Sequence, residues 1–401
     1  MGAWARLTAV AAVLGTGLAV VSGAAGWDTA HRVLAALALP PLAALTAIAW
    51  VSARKLLPTA IAALVLFGSA ALVTGSALHL TFASLAFGAT ALLAARTFRG
   101  HVEQGPLRDY LTLTKPRIMS LLLLTGGAGA FVGAAGVPAW GAFAATMVGL
   151  ALACGGASAL NHYLDRDIDK LMGSRTATRP VASGRVPAER ALEFGLALSA
   201  LSFVLLDSLV NLPTALLALG GNLFYVLVYT RWLKRSTAQN IVIGGAAGAV
   251  PPLVGYAGAS GHLGWAALVM FVVVFVWTPP HFWALALFVR SDYAKAGIPM
   301  MPVVAGETST RRQILAYAVI LFAVSLAPWW IGGVGAIYGV AALALSALFV
   351  ALCVPVALRR ASEDDRMKPE KRLFGYSVLY LFALFSALVV DRAILGPGIA
   401  A

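Results

Sequence analysis

Charge is what this sequence has least of. Of its 401 residues, 11% are Asp, Glu, Lys or Arg, under half the ~25% typical of a soluble globular domain. A water-solvated enzyme surface is therefore excluded. Only two cysteines are present, Cys154 and Cys353, and both lie inside apolar runs. They exclude a disulfide framework, and with no Cys-x-x-Cys spacing they make a poor metal site; they read as small core residues. No low-complexity tract or short-period repeat occurs. The first apolar run lacks a small-residue cleavage site followed by a soluble domain, so it is read as a retained segment, not a leader.

What is there is hydrophobic, at 60% of residues. Apolar runs of about 17–25 residues recur throughout, each long enough to cross a ~30 Å hydrocarbon layer as a helix. They are continuous, not alternating, so helices are expected rather than barrel strands. The runs number thirteen: 4–24, 30–52, 57–75, 78–95, 118–136, 140–162, 190–208, 212–230, 239–258, 264–287, 313–331, 336–357 and 373–391. With the N-terminus inside and the spans alternating, only Arg32 and Arg392 fall outside, leaving 27 of the 29 Lys and Arg inside. That asymmetry follows the positive-inside rule. It accounts for the net charge of +13 without a nucleic-acid partner; attraction to anionic lipid fits it as well. The expected fold is an all-α polytopic membrane protein. A bacterial inner membrane is the expected location, with cytoplasmic polar loops and the C-terminus outside. The polar stretch Arg96–Ser120 divides residues 1–104, a four-helix bundle, from residues 105–401, a nine-helix domain.

The chemistry concentrates in the long inward loops, 163–189, 288–312 and 358–372. "NHYLDRDIDKLMGSRTATRP" begins at Asn161. Asn161, Asp165 and Asp169 recur at i, i+4, i+8 and so share one helix face, whereas Asp167 points elsewhere. Three oxygen-bearing side chains on one stripe suit a hard cation such as Mg²⁺, which completes its shell with water and substrate phosphates. Lys170, Arg175 and Arg179 follow, as diphosphate recognition requires. A solvated helix end would also carry mixed charges, but Asn161 ends a span where an amide is costly unless used. A second cluster runs from Trp277: Thr278-Pro279-Pro280 is expected to interrupt its span, with His281 beyond, then Asp292, Tyr293 and Lys295. A third inward loop supplies Lys234 and Arg235, and Gly244, Gly245 and Gly248 would allow close helix packing. Carboxylates and cations around a membrane-embedded core suit a substrate with a diphosphate head and an apolar tail. The carboxylates are expected at the mouth of an aqueous cavity.

"NHYLDRDIDKLMGSRTATRPVASG", "YTRWLKRSTAQNIVIGGAAGAVPPLVGYAG" and "VWTPPHFWALALFVRSDYAKAGIPMMPVV" resemble the protohaem IX farnesyltransferases, within the UbiA-type superfamily of intramembrane prenyltransferases. The resemblance covers about 107–395. It implies nine transmembrane helices around a lateral cavity. It also implies transfer of a farnesyl group from farnesyl diphosphate to a vinyl group of haem b, with addition of water, giving haem O. By the same resemblance, Asn161, Asp165, Asp169 and Asp292 would hold Mg²⁺. Lys170, Arg175, Arg179, Lys234 and Arg235 would steady the leaving diphosphate, and His281, Tyr293 and Lys295 would contact substrate. His281 and His162 are candidate haem contacts. The superfamily's second acidic motif is often Asp-x-x-x-Asp, but here Asp292 is followed by Ala296, so the second metal site would rest on Asp292 with water or diphosphate oxygens.

Residues 1–104 resemble one half of the haem A synthases, through "AHRVLAALA" and "LHLTFASLAF". His31 and His79 both begin spans at the outer side and could ligate one bound haem; they could equally be plain interfacial histidines. Haem A synthase or oxidase-assembly proteins are the partners this implies. Other classes fit less well. A transporter needs no diphosphate constellation on one face, a CDP-alcohol phosphotransferase would show an Asp-Gly and Ala-Arg pairing that is missing after Asp165, and a haem-carrying assembly factor leaves the acidic motifs idle. A UbiA-type enzyme acting on another acceptor, such as a quinone precursor, remains the nearest alternative.

Overall fold

A computed structural model describes residues 106–395, except 332 and 360–366, together with short stretches among residues 8–90. Nine helices among the described residues are long and apolar enough to cross a membrane: α1 (Pro116–Gly133), α2 (Trp140–Leu164), α3 (Ala188–Leu209), α4 (Leu212–Ser236), α5 (Asn240–Ser260), α6 (Trp265–Phe288), α7 (Gly306–Trp330), α8 (Ala336–Leu358) and α9 (Lys368–Leu395). These are the nine spans expected after residue 105. Hydropathy misplaced some ends, because α4, α7 and α9 continue as helix into polar sequence, which burial in lipid does not constrain. In the earlier stretches, helical Ala9, Ala12, Leu42, Ala60 and Ala63 pack into one cluster. The boundary at 104/105, His31 and His79 all lie outside the described residues.

Helix ends follow local chemistry. Asn211 caps α4, its side chain accepting from Thr214 N–H at 2.9 Å, and Gly261, at φ 79°, closes α5 in the left-handed conformation that glycine adopts without strain. Between helices, the hydrophobic effect gives little in lipid, and close backbone approach replaces it. The seam between α1 and α5 is the extreme case. A methyl group on Gly129 would stand 2.2 Å from the Pro252 carbonyl, and one on Gly255 would stand 1.7 Å from that of Gly126. Gly244 lies against the Tyr229 ring and Gly245 against Thr278, as expected, but Gly248 faces open space. The larger core joins α6–α9 around Trp283, Phe349, Tyr380 and Phe385. Exposed leucines, valines and Phe382 stud the outer faces of α7–α9, as a lipid-facing surface requires. Cys353 is buried on α8 and Cys154 half-buried on α2.

One expectation is corrected. Thr278-Pro279-Pro280 does not break its span: α6 runs unbroken from Trp265 to Phe288 with both prolines inside. The two missing N–H groups are tolerated because all three residues are buried against protein, not lipid, and the Thr278 hydroxyl donates to Val274 O at 2.8 Å. Pro251-Pro252 sits inside α5 in the same way.

Alternation along the chain brings the C-terminal ends of α2, α4, α6 and α8 to one side of the bundle, with the N-terminal ends of α3, α5, α7 and α9. All the sequence-predicted site residues described lie at or near that side.

Candidate active site

The stripe anticipated at the end of α2 is real, and it survives a break in the helix. Helix α2 stops at Leu164, and a short helix, Arg166–Leu171, follows. The helical bonds nevertheless run through the junction: Asp165 N–H donates to Asn161 O at 2.9 Å and Asp169 N–H to Asp165 O at 2.8 Å. Asn161, Asp165 and Asp169 therefore keep one face. That face is buried, with exposures of 3%, 0% and 1%, which corrects the expected place at an aqueous cavity mouth. The loop after residue 171 and the end of α4 close over it, supplying the cations that make burial of two carboxylates tolerable.

Three cations from separate parts of the chain each cap one of these side chains. Lys115 Nζ donates to Asn161 Oδ1 at 2.8 Å. Lys234 Nζ donates to Asp165 Oδ2 at 2.5 Å. Arg179 Nη1 donates to Asp169 Oδ1 at 2.7 Å. The Asn161 amide turns its Nδ2 to Asp165 Oδ2, at 2.8 Å, and to Thr230 Oγ1, at 3.1 Å. Two acceptors remain bare: Asp165 Oδ1 and Asp169 Oδ2 are buried without a hydrogen-bond partner. Burial, followed by repulsion from Arg179 and Lys234, lowers the Lys115 ammonium to about 7. Burial also raises the Asp169 carboxyl, outweighing the pull of Arg179.

Lys234 and Thr230 reach the stripe from an unusual backbone. Residues Phe224–Leu233 of α4 wind as a π-helix, a form that concentrates at functional sites, with Tyr225 and Tyr229 stacked at 5.5 Å. Arg235, expected to serve the same site, mainly engages Asp167 instead, through two bonds of 2.7 and 2.8 Å. Those bonds hold the exposed Asp167 carboxyl well below the usual carboxylate range. Arg235 also donates to Leu164 O and stands 3.8 Å from Asp165 Oδ1.

The second acidic motif comes to the first. Asp292, on the short helix Arg290–Lys295, lies against the backbone of Gly173: a methyl group there would stand 3.2 Å from Asp292 Oδ1. Gly173, at φ 82°, opens the turn Ser174–Ala177, whose backbone carries Arg175. Tyr293 is half-buried, while Lys170 and Lys295 are exposed. His281 is placed differently. Its ring stacks between Trp277 and Phe374, and its Nδ1 is 2.6 Å from Ser377 Oγ, so it is wedged between α6 and α9. His162 is buried with neither ring nitrogen partnered. Sequence reasoning missed Lys115 and Thr230, which lie 46 and 69 positions from Asn161. The one local signal for Lys115 is its place directly before Pro116, where it takes a left-handed φ of 51°.

This donor set fits a hard divalent cation. It offers carboxylate and amide oxygens only, and two buried carboxylate oxygens lack partners. Among the described residues no three His, Cys, Asp or Glu side chains converge on one point, so a bound metal would draw remaining ligands from Asn161 and from substrate oxygens, as Mg²⁺ commonly does.

Nine membrane helices among the described residues, with an acidic stripe at one end of the bundle, suit an intramembrane prenyltransferase fold, and comparison bears this out. The sequence matches the UbiA prenyltransferase family over residues 122–387. A solved digeranylgeranylglyceryl phosphate synthase superposes with a TM-score of 0.59, at 16% identity, over 71% of this chain and 98% of that one. A UbiA homologue from Archaeoglobus fulgidus, solved with GPP and Mg²⁺, gives 0.51 at 17% identity over 69% and 99%. The chain belongs to the UbiA prenyltransferase family. Within it, several relatives named protoheme IX farnesyltransferase are similar to this chain. The protoheme IX farnesyltransferase of Erythrobacter litoralis is 51% identical over 71% of this chain and 92% of its own. That of Symbiobacterium thermophilum is 52% identical over 73% and 97%. The Roseiflexus castenholzii protein of the same name is 42% identical over 97% of this chain and 75% of its own, so its match takes in most of the N-terminal hundred residues as well.

Proposed function

We propose that this chain transfers the farnesyl group of farnesyl diphosphate to a vinyl group of haem b, with addition of water, giving haem O. The observation that carries the reading is the identity of about half to relatives named protoheme IX farnesyltransferase, over the part of the chain that forms the site. The geometry is consistent with it: a buried oxygen stripe for metal and diphosphate, at one end of an apolar bundle for the tail.

Asn161, Asp165 and Asp169, with Asp292 alongside, would hold Mg²⁺. Bound there, Mg²⁺ supplies charge neutralisation to the departing diphosphate. Lys115, Lys234 and Arg179 donate to the diphosphate oxygens, where negative charge grows as the allylic C–O bond breaks. Lys170, exposed just beyond the stripe, and Arg235 would favour the anion's approach, and by the resemblance Arg175 would join them. The terminal vinyl carbon of haem b bonds to the farnesyl C1, water adds its oxygen to the other vinyl carbon, and the water's proton leaves with the diphosphate or solvent. Burial of the stripe keeps water from intercepting the farnesyl group first. Tyr293 and Lys295 would meet the substrate beside Asp292, whereas His281, a substrate contact by the resemblance, is held between Trp277, Phe374 and Ser377. The inward loops face the cytoplasm of a bacterial inner membrane, with the C-terminus outside; a reporter fused after Ala401 is then active on the outer side only.

Purified full-length protein in lipid nanodiscs, given Mg²⁺, farnesyl diphosphate and haem b, is expected to yield a haem with added farnesyl and hydroxyl groups by mass spectrometry. Unmodified haem, with prenylation of a phenolic quinone precursor instead, would overturn the acceptor assignment.

A further inference from the structure

The three cations at the stripe occupy the oxygens that a metal would need. Lys115 takes the Asn161 carbonyl oxygen, Lys234 one oxygen of Asp165 and Arg179 one oxygen of Asp169. We propose that these cations are placeholders, displaced together when metal and diphosphate enter, so that a divalent ion and a prenyl diphosphate bind as a pair and each binds poorly alone. The proposal rests on the metal–diphosphate reading above and goes beyond it in stating how the site fills.

The charge balance argues for this. Lys234 and Arg179 already balance the two buried carboxylates they bond. A divalent ion entering alone would add two positive charges where little water screens them, and it would have to push the cations off oxygens they already hold. A diphosphate entering alone would meet carboxylates beside the cations. Arriving together, the pair satisfies both sets. The metal takes the carboxylate and amide oxygens, including bare Asp165 Oδ1 and Asp169 Oδ2, and the cations turn to the phosphate oxygens. Every buried charge then keeps an opposite partner, which a low-dielectric site demands.

The stems allow the exchange. Lysine's three donors sit on a flexible four-carbon chain, and arginine's fork matches phosphate as well as carboxylate. The three residues come from separate places: just before α1, the end of α4, and the loop after residue 171. None need move its helix to change partner. The cations also explain how two carboxylates one helical turn apart can both be buried before any metal arrives.

The test is a linkage measurement on the full chain in nanodiscs, with Mn²⁺ as the paramagnetic probe and farnesyl thiodiphosphate as a diphosphate that does not ionise. Free Mn²⁺ is read by electron paramagnetic resonance. Wild type is expected to bind Mn²⁺ at least about tenfold more tightly with the analogue than without it, within the usual range of coupling between sites. Lys234→Met is expected to bind Mn²⁺ alone more tightly than wild type and the analogue more weakly, shrinking the coupling. Lys115→Met should do the same to a smaller degree, because its partner is a neutral amide. Equal Mn²⁺ affinity with and without the analogue overturns the proposal, and so does a Lys234→Met protein that binds Mn²⁺ no better than wild type. The wild-type comparison needs no variant to fold. If the analogue binds under no condition, the diphosphate reading itself has failed, an outcome distinct from binding without coupling.

Discussion

Two clusters of buried charge sit at the same side of the bundle, and they are built oppositely. At the end of α2, Asp165 and Asp169 each have one oxygen engaged and one bare. Among α7, α8 and α9, Glu370 has both oxygens taken: Arg311 Nε donates to one at 3.0 Å and Arg359 Nη1 to the other at 2.8 Å. Arg311 also bonds Glu307 at 3.1 Å. Glu370 is fully buried and Arg311 nearly so. The first cluster has acceptor capacity to spare, while in the second both Glu370 oxygens are used and what is left over is donor capacity, as at Arg311 Nη1. A closed network ties three helix ends together. A network with bare carboxylate oxygens is ready to receive a cation. Burial and ion pairing alone do not separate the two; the leftover hydrogen-bonding capacity does.

The comparison breaks if the two clusters respond alike to losing one carboxylate. Asp165→Asn should lower turnover by at least ~10³-fold, about 4 kcal/mol at the transition state, with a smaller loss of thermal stability than Glu370→Gln, because one flexible, partly exposed lysine rather than two buried guanidiniums loses its charged partner. Product formation and thermal unfolding, measured on the same nanodisc sample, check both halves. Glu370→Gln should do the reverse. It leaves two buried guanidiniums short of one negative charge and should cost about 3 kcal/mol or more of stability, read as a lower unfolding midpoint, while the folded fraction turns over normally. Normal stability in that variant would show the network to be dispensable.

Two glycine substitutions sharpen the picture further. Gly129→Ala puts a methyl group against the Pro252 carbonyl and should cost about 1–3 kcal/mol by forcing α1 off α5. Gly248→Ala meets open space and should change stability by under ~0.5 kcal/mol. Both are read from unfolding midpoints, and a larger effect at Gly248 than at Gly129 would contradict the packing described.

The nine spans after residue 105 and the acidic stripe were legible in the sequence because each rests on a period: apolar length against bilayer thickness, and i, i+4, i+8 on one helix face. The pairing of those residues was not. Lys115 reaches Asn161 across 46 positions, and no local pattern encodes such a contact. Arg235 was expected beside Lys234 at the stripe, yet neighbours on a helix diverge by about 100°, and it finds Asp167. Glu370, Arg311 and Arg359 carried no signal beyond the inward bias of basic residues. The prolines of α6 misled because the usual penalty for proline assumes an exposed helix interior, whereas here protein packs around both.

The two cysteines have a practical consequence. Cys154 and Cys353 are the chain's full complement, and both lie within membrane helices, half-buried and buried. Maleimides carrying a fixed charge, which react with the thiolate and stay in water, should therefore find almost no background in the native protein. A single cysteine introduced near Lys170, Lys295 or the C-terminus could be labelled without first removing the natural ones. Each would report which side of the membrane it occupies, and how its surroundings change as the site fills.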